Sequence, residues 1–123
     1  MPLLNFKKQF VPKIESGEKT HTIRAYRKDG RNPHVGDTLY LYTGLRTKSA
    51  RKLGEYKCVE VTPIYIDWWR VVLGTSELDC VEIEALATAD GFETQNEMFS
   101  FFNKTHDLPF YGLFIAWEFE EEE

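Results

Sequence analysis

The stretch SGEKTHTIR, residues 16–24, joins a helix stop to a strand and crowds cations into a short segment. Apolar residues at helical spacing precede it, and Gly17 stands where a C-terminal capping glycine belongs. From residue 18 to residue 26 the composition is rich in Thr and Ile, which favours a strand. We therefore predict a short helix that ends at Ser16, followed by a strand that carries KTHTIR.

Further strands are predicted at short spacing along the chain. Residues 38–43 alternate Leu with Tyr, which is typical of a strand with one buried face, and a basic loop over residues 44–54 follows. Residues 56–62 and 64–73 predict two strands divided by Pro63. Gly112 then leads into a closing strand of alternating pattern.

The second half of the chain also predicts two helices. A capping signature at residues 76–79 opens the first, in which Val81, Ala85 and Ala89 follow helical spacing. A capping box at residues 94–97 opens the second. Strands at short spacing, with helices at the start and late in the chain, indicate an α+β protein built on a small β-barrel with flanking helices.

The chain length and composition fit a single folded domain. Its 123 residues are 42% hydrophobic and 15% aromatic, which excludes a disordered chain. We assign residues 1–119 to the domain and residues 120–123 to an acidic tail. No run reaches the ~18–20 apolar residues of a membrane span, and charges come too early for a signal peptide. We expect a cytoplasmic protein without membrane association, and we assume a monomer.

Charge is divided unevenly between the two halves of the chain. Residues 1–57 hold 13 Lys and Arg against 5 Asp and Glu, a net charge of +8, whereas residues 58–123 hold 2 against 15, a net charge of −13. The basic half favours an anionic partner such as RNA, because clustered cations raise the local potential. The alternative is that the two halves neutralise each other across the fold.

Metal and disulfide chemistry are not indicated by the spacing of the candidate ligands. Cys58 and Cys80 lie in unrelated segments, and His21, His34 and His106 are equally scattered. We therefore expect two free thiols, no metal and no cofactor.

With these elements in order, the chain resembles the ASCH family, a group of small domains with a PUA-like fold. The resemblance runs from about residue 6 to residue 119, and its most specific element is the pattern GxKxxTxR, here Gly17, Lys19, Thr22 and Arg24. It implies a β-barrel with a cleft against the helices, lined by cations and suited to RNA or a nucleoside. Some small bacterial members are amidohydrolases that remove the acetyl group from the exocyclic nitrogen of acetylcytidine, using a lysine, a threonine and a carboxylate.

Carried over by position, the resemblance assigns the catalytic roles to three residues. The lysine falls on Lys19, the threonine on Thr22, and the acid ahead of the Gly-Phe pair on Asp90. The family pattern often has glutamate at the last position, so the shorter aspartate is a departure from it. Glu84, six residues earlier on the same predicted helix, is the second choice for the carboxylate.

Amide hydrolysis needs a nucleophile, a group that takes and returns its proton, and donors for the oxyanion. Our hypothesis is that Lys19 activates Thr22, or a water held by it, while Asp90 orients the amine and shuttles a proton. Lysine acts as a base only when burial or nearby cations lower its pKa, and Arg24 and His21 are close in sequence. A regular strand would place Lys19 and Thr22 on opposite faces, so the strand must begin after Lys19 or contain a bulge.

Several other residues are candidates for substrate or RNA binding. Arg24 belongs to the motif, and His21 shares the strand parity of Lys19, which favours the cleft unless this histidine is purely structural. The candidates for phosphate contacts are Arg27, Arg46, Lys48, Arg51 and Lys52, and those for base stacking are Tyr26, Tyr40 and Tyr42. The alternative is that these cations are exposed and cover apolar surface with their stems. Trp69 and Trp117 are assigned to the core.

Three functions remain open at this point. The first is an amidohydrolase that acts on acetylcytidine. The second is a noncatalytic RNA-binding module, for which affinity would fall steeply with salt. A ribonuclease ranks third, because no pair of histidines has a spacing that suggests acid–base cleavage of phosphodiesters.

Overall fold

The computed structural model describes residues 3–119, which form seven strands, three α-helices and one short 3-10 helix, Lys8–Phe10. The strands are β1 Leu3–Phe6, β2 His21–Ala25, β3 Thr38–Thr43, β4 Arg51–Ile66, β5 Val71–Leu73, β6 Ser76–Glu77 and β7 Phe110–Trp117. The helices are α1 Val11–Ser16, α2 Cys80–Ala89 and α3 Gln95–His106. The predicted α+β class is confirmed. The acidic tail at residues 120–123 lies outside the described residues.

Strand β4 organises the sheet. Its first part pairs with β3, and its second part pairs with β7 on one side and β5 on the other, all antiparallel. A register shift between Cys58 and Glu60 bends β4 where it passes from one neighbour to the next. Strand β1 joins β3 in parallel, β2 joins β7, and β6 joins β5. All seven strands therefore belong to one bent sheet.

The sheet does not close into the predicted barrel. Among the described residues no ladder joins β1 to β2, although the two strands form neighbouring edges. A side chain spans the gap instead, because Arg24 Nη2 donates a hydrogen bond to the carbonyl oxygen of Asn5 at 2.6 Å. The sheet thus has a gap between β1 and β2, and a cavity lies in this gap.

The helices cover one side of this sheet with apolar stripes. Helix α2 buries Ile83, Leu86 and Ala87, and α3 buries Met98 and Phe102. The stripe predicted for α2 is on the wrong face, because Val81, Ala85 and Ala89 are exposed. Both stripes have helical spacing, but only the buried one contains two large side chains, so it forms the better contact with the core.

Two predictions about the strands are corrected. Pro63 does not divide two strands, because β4 runs through it from Arg51 to Ile66 and so shortens the basic loop. The strand predicted over residues 64–73 is instead broken at residues 67–70, and its last part is β5. Pro63 is tolerated because it lies just outside the β4–β5 ladder, where its missing N–H removes no bond.

Trp117 is buried as predicted, whereas Trp69 is 77% exposed in the turn after β4. No helix in residues 3–119 is long and apolar enough to span a membrane.

Candidate active site

A cavity of about 220 Å³ lies between the edges of β1 and β2 and is closed from the other side by the helices. Lys19, Thr22 and Arg24, three of the four motif residues, line it together with Asp90. The fold therefore brings the first-choice carboxylate, Asp90, to the predicted lysine and threonine, which lie about 70 positions earlier in the sequence.

The turn after α1 places Lys19. The helix ends with Gly17 in the left-handed conformation at φ 85°, and the N–H of Lys19 then donates to the carbonyl of Lys13 at 2.9 Å. Strand β2 begins only at His21. Lys19 thus lies in the connection before the strand, where strand parity does not apply. Of the two alternatives, a later strand start and a bulge, the structure has the first, and the strand is shorter than the predicted stretch of residues 18–26.

The end of α2 places Asp90. Gly91 has φ 104°, and the N–H groups of Gly91 and Phe92 donate to the carbonyls of Thr88 and Ala87 at 3.1 and 2.9 Å, which is a Schellman arrangement. Phe92 is buried and anchors the turn. A Cβ atom at Gly91 would lie 2.8 Å from Phe10 Cδ1, so only glycine lets α2 end this close to the cavity wall.

Lys19 and Asp90 form a buried ion pair. Lys19 Nζ donates to Asp90 Oδ1 in a short contact, and to the Asp90 carbonyl oxygen at 2.8 Å. The two residues are 2% and 4% exposed. Within residues 3–119, Asp90 Oδ2 accepts no hydrogen bond. One carboxylate oxygen thus holds the lysine, while the other remains available to a ligand.

Burial lowers the pKa of Lys19. Asp90 opposes this effect, because its negative charge and hydrogen bond favour the ammonium form, whereas the charges of Arg24 and Lys13 lower the pKa further. The direction that we assign to the pKa is downward, since nearly complete removal from water penalises the charge. Lys19 therefore gives up its proton more readily than an exposed lysine.

His21 lies against the same carboxylate. Its Nε2 atom is 3.1 Å from Asp90 Oδ1 but forms no hydrogen bond there, and the ring stacks on Phe114 with centroids 4.6 Å apart. The imidazole is buried, and it packs behind the ion pair without lining the cavity. The structure therefore places His21 in support of the pair.

Arg24 positions the hydroxyl of Thr22. Its Nε donates to Thr22 Oγ1 at 3.0 Å, and its guanidinium lies over the ring of Phe6, 4.6 Å from the centroid. Burial lowers the pKa of Arg24 to about 10, and the charge of Arg27 acts in the same direction, so the side chain is still a cation at neutral pH. Thr22 Oγ1 accepts from a cation and keeps its own proton free to donate.

Helix α3 supplies a wall that the sequence interpretation missed. Phe101, Phe102 and His106 line the cavity, and His106 stacks against Phe102 and Phe110 at 6.1 and 4.7 Å. Burial lowers the pKa of His106, and the charges of Arg24 and Lys7 lower it further. The sequence held one signal for this wall. Phe102 and His106 are four residues apart on a capped helix, and this spacing places both side chains on one helix face.

The other predicted residues lie outside this cavity. Glu84 accepts from the N–H of Gln95 at 3.2 Å on the far face of α2, which leaves Asp90 as the carboxylate of the cavity. Arg51 forms a salt bridge with Glu15 at 3.1 Å on the surface, and Lys48 is exposed. Tyr26 is 61% exposed and lines a separate apolar groove.

Arg27 and Arg46 line a second, open groove, to which Leu3 of β1 also contributes. Tyr40 and Tyr42, two further stacking candidates, are half-buried on β3 and do not line the cavity. Lys52 pairs with Glu55 at 3.0 Å. In residues 3–119 no group of three or more His, Cys, Asp or Glu side chains is arranged to hold a metal ion.

Comparison with known proteins assigns neither a family nor a function to this site. No protein-family model, curated protein or solved structure matches the chain. A functional assignment therefore depends on the contacts, burial and charge of its own residues.

Proposed function

We propose that this chain is a cytoplasmic amidohydrolase of the ASCH family, with a PUA-like fold, that removes the acetyl group from acetylcytidine without a metal ion. The observation that carries the proposal is the buried Lys19–Asp90 pair beside Thr22 in a cavity. A buried ion pair costs desolvation energy and is weak evidence for stability, so a function for it is worth testing.

The size and walls of the cavity favour one small aromatic ring. Its volume of about 220 Å³ is below the ~300–1,000 Å³ typical of drug-sized ligands, so it suits a base with a short substituent. Phe6, Phe10 and Phe101 make its walls aromatic, and a cation lies 4.6–5.1 Å from the centroid of each ring. Aromatic rings combined with cations are the groups that bind a base. The sugar would then lie at the mouth, towards solvent.

The polar groups supply the parts that amide hydrolysis requires. Lys19 passes its proton to Asp90 and becomes a neutral amine, which takes the proton of Thr22 or of a water held by it. The oxygen then bonds to the acetyl carbon, and the Arg24 guanidinium lies near enough to Thr22 to stabilise the oxyanion. Collapse breaks the C–N bond, and the protonated carboxyl of Asp90 returns a proton to the exocyclic nitrogen. Where Thr22 is the nucleophile, water then hydrolyses its acetyl ester; either route gives acetate and cytidine.

The test is the release of cytidine from acetylcytidine, followed by chromatography with the purified protein. We compare the wild type with Thr22→Val and Asp90→Asn, which keep side-chain shape while removing the hydroxyl and the charge. Loss of general acid–base catalysis costs about 10²–10⁴-fold in rate, and we expect losses in this range for both variants.

Glu84→Gln is the matched control, because it removes a carboxylate charge from the same helix outside the cavity. It should retain wild-type activity, and circular dichroism should show all three variants folded. Absence of cytidine release by the wild type, or full activity in Thr22→Val and Asp90→Asn, would contradict the proposal.

The second candidate is a noncatalytic RNA-binding module. It is favoured by Arg27 and Arg46, which line an open groove without ion-pair partners in residues 3–119. This candidate predicts RNA affinity that falls steeply with salt and no cytidine release. A ribonuclease remains the least supported, since only His106 of the three histidines lines the cavity, while His21 packs behind Asp90 and His34 is exposed.

A further inference from the structure

A basic groove of about 790 Å³ opens beside the cavity, between the loop after β2 and the loop after β3. Four side chains that carry or can carry positive charge line it, and we use the name basic groove for this set: Arg27, Arg31, His34 and Arg46. Neither loop belongs to the cavity, and the resemblance motif does not include them.

Hydrogen bonds hold the loop after β2 in shape. Asn32 accepts from the N–H of Arg27 at 2.9 Å through Oδ1 and donates to the Arg27 carbonyl at 2.8 Å through Nδ2. Asp29 accepts from the N–H of Arg31 at 3.0 Å. Two of the four cationic side chains therefore project from a braced loop.

The loop after β3 is anchored to the edge of the cavity. The N–H of Leu45 donates to Asn5 Oδ1 at 3.0 Å, and Asn5 itself lines the cavity. The next residue, Arg46, has φ 69°, a left-handed conformation that is uncommon for a residue other than glycine. This turn sets the side chain of Arg46 on the groove side of the loop.

Two of the four side chains of the basic groove lack a carboxylate partner. Arg27 and Arg46 take part in no salt bridge within residues 3–119, whereas Arg31 Nε lies 3.9 Å from Asp29 Oδ2. Asp37 is the carboxylate of the groove, and it is engaged by the backbone N–H of His34 at 2.8 Å and lies 3.8 Å from its ring. The groove thus presents guanidinium groups to an anion.

The basic groove continues from the mouth of the cavity. Leu3 lines the groove and Asn5 lines the cavity, and their side chains share one face of β1 about 7 Å apart. At the end of β2, on the other side of the gap, Ala25 lines the cavity and Arg27, two residues later, lines the groove. The cavity and the basic groove therefore adjoin along both edges, so that a group attached to a ring in the cavity would have the groove within reach.

We propose that the basic groove is a phosphate subsite, so that the substrate is acetylcytidine that carries a phosphate group. The identity of the base rests on the proposed function, while the phosphate subsite rests on the groove. Guanidinium groups suit phosphate because they donate paired hydrogen bonds to its oxygens. The phosphate has two possible sources, a free nucleotide or a nucleotide within an RNA strand.

The test is calorimetric binding of product-like ligands, which needs no turnover. We compare cytidine with cytidine 5′-monophosphate, cytidine 3′-monophosphate and a cytidine dinucleotide at low salt. We expect at least one phosphorylated ligand to bind about tenfold tighter than cytidine, with a preference that shrinks as salt rises. Tightest binding of a monophosphate would identify a free nucleotide, and tightest binding of the dinucleotide would identify an RNA strand.

Arg27→Gln and Arg46→Gln should reduce this preference several-fold and leave cytidine binding unchanged. Lys48→Gln is the matched control, since it removes the same charge from the loop of Arg46 outside the groove. The proposal is overturned if no phosphorylated ligand binds tighter than cytidine, or if Lys48→Gln acts as strongly as Arg46→Gln.

The two proposals fail separately in this design. A phosphate preference that depends on Arg27 and Arg46, in a protein that releases no cytidine from acetylcytidine, would support the subsite and reject the hydrolase. Hydrolysis of acetylcytidine without any phosphate preference would reject the subsite alone.

Discussion

Lys19 and Lys52 lie in the same basic half of the chain and each pairs with one carboxylate, yet their surroundings differ. The side chain of Lys19 is 3% exposed beside Asp90, and that of Lys52 is 44% exposed beside Glu55. Burial lowers the pKa of Lys19, whereas the hydrogen bond that Lys52 donates to Glu55 raises the pKa of Lys52. An ion pair therefore poises a lysine for proton transfer only where water is excluded from it.

Removal of the carboxylate should give the largest difference between the two pairs in the free energy of unfolding. Asp90→Leu leaves the Lys19 charge buried without a counter-ion, and we expect a loss of about 3–5 kcal/mol in the free energy of unfolding. Glu55→Gln should leave the same quantity almost unchanged, because Lys52 remains hydrated. Urea denaturation measures both changes.

The double variant Lys19→Met with Asp90→Leu is the control for this comparison. It removes both charges together, so it should be more stable than Asp90→Leu alone. Equal losses for Asp90→Leu and Glu55→Gln would remove the distinction between the buried and the exposed pair.

The pKa of His106 provides a test with a smaller expected effect, because this pKa responds to the cations inside the cavity. Its pKa should lie below the ordinary ~6.5 in the folded protein, and Arg24→Gln should raise it. The folded state then binds fewer protons than the unfolded chain between the lowered pKa and ~6.5, so His106 destabilises the fold as pH falls through that window. Proton NMR of the imidazole C–H signals measures the pKa directly.

Arg51→Gln is the matched control for the His106 measurement. Arg51 lies on the surface with Glu15, so its loss should leave the pKa of His106 unchanged. A shift as large as that caused by Arg24→Gln would show that His106 responds to the overall charge of the protein instead of the cavity.

The smallest expected effect concerns Arg51 in the assay itself. Because its guanidinium pairs with Glu15 away from the cavity, Arg51→Gln should retain the wild-type rate of cytidine release and the wild-type urea midpoint. A loss of activity with an unchanged midpoint would place Arg51 in the site and contradict the geometry described here.

Local signals in the sequence predicted the placement of Lys19 well. Gly17 ends α1, and the parity of Lys19 and Thr22 predicted either a later strand start or a bulge, of which the structure has the later start, at His21. Thr94 caps α3 as predicted, whereas α2 is capped by Asp79 with Glu82, and Ser76, the first residue of the predicted signature, lies in β6. These features depend on a few neighbouring residues, which is why the sequence alone was sufficient.

Features that depend on distant partners were not predicted. The continuity of β4 through Pro63 depends on its pairing with β7, and the open edge between β1 and β2 depends on Arg24 reaching Asn5. The exposure of Trp69 follows from its place in a turn. No periodic pattern contains this information, because each outcome is decided by which strands meet in space.

The Lys19–Asp90 contact has a consequence for the order of folding. It joins residues 71 positions apart in the chain, one from the basic half and one from the acidic half. Closing so long a loop is entropically costly until the intervening strands are in place. The buried pair is therefore formed late in folding, after the intervening strands are in place. Any activity that depends on this pair would come only from molecules in which those strands have paired.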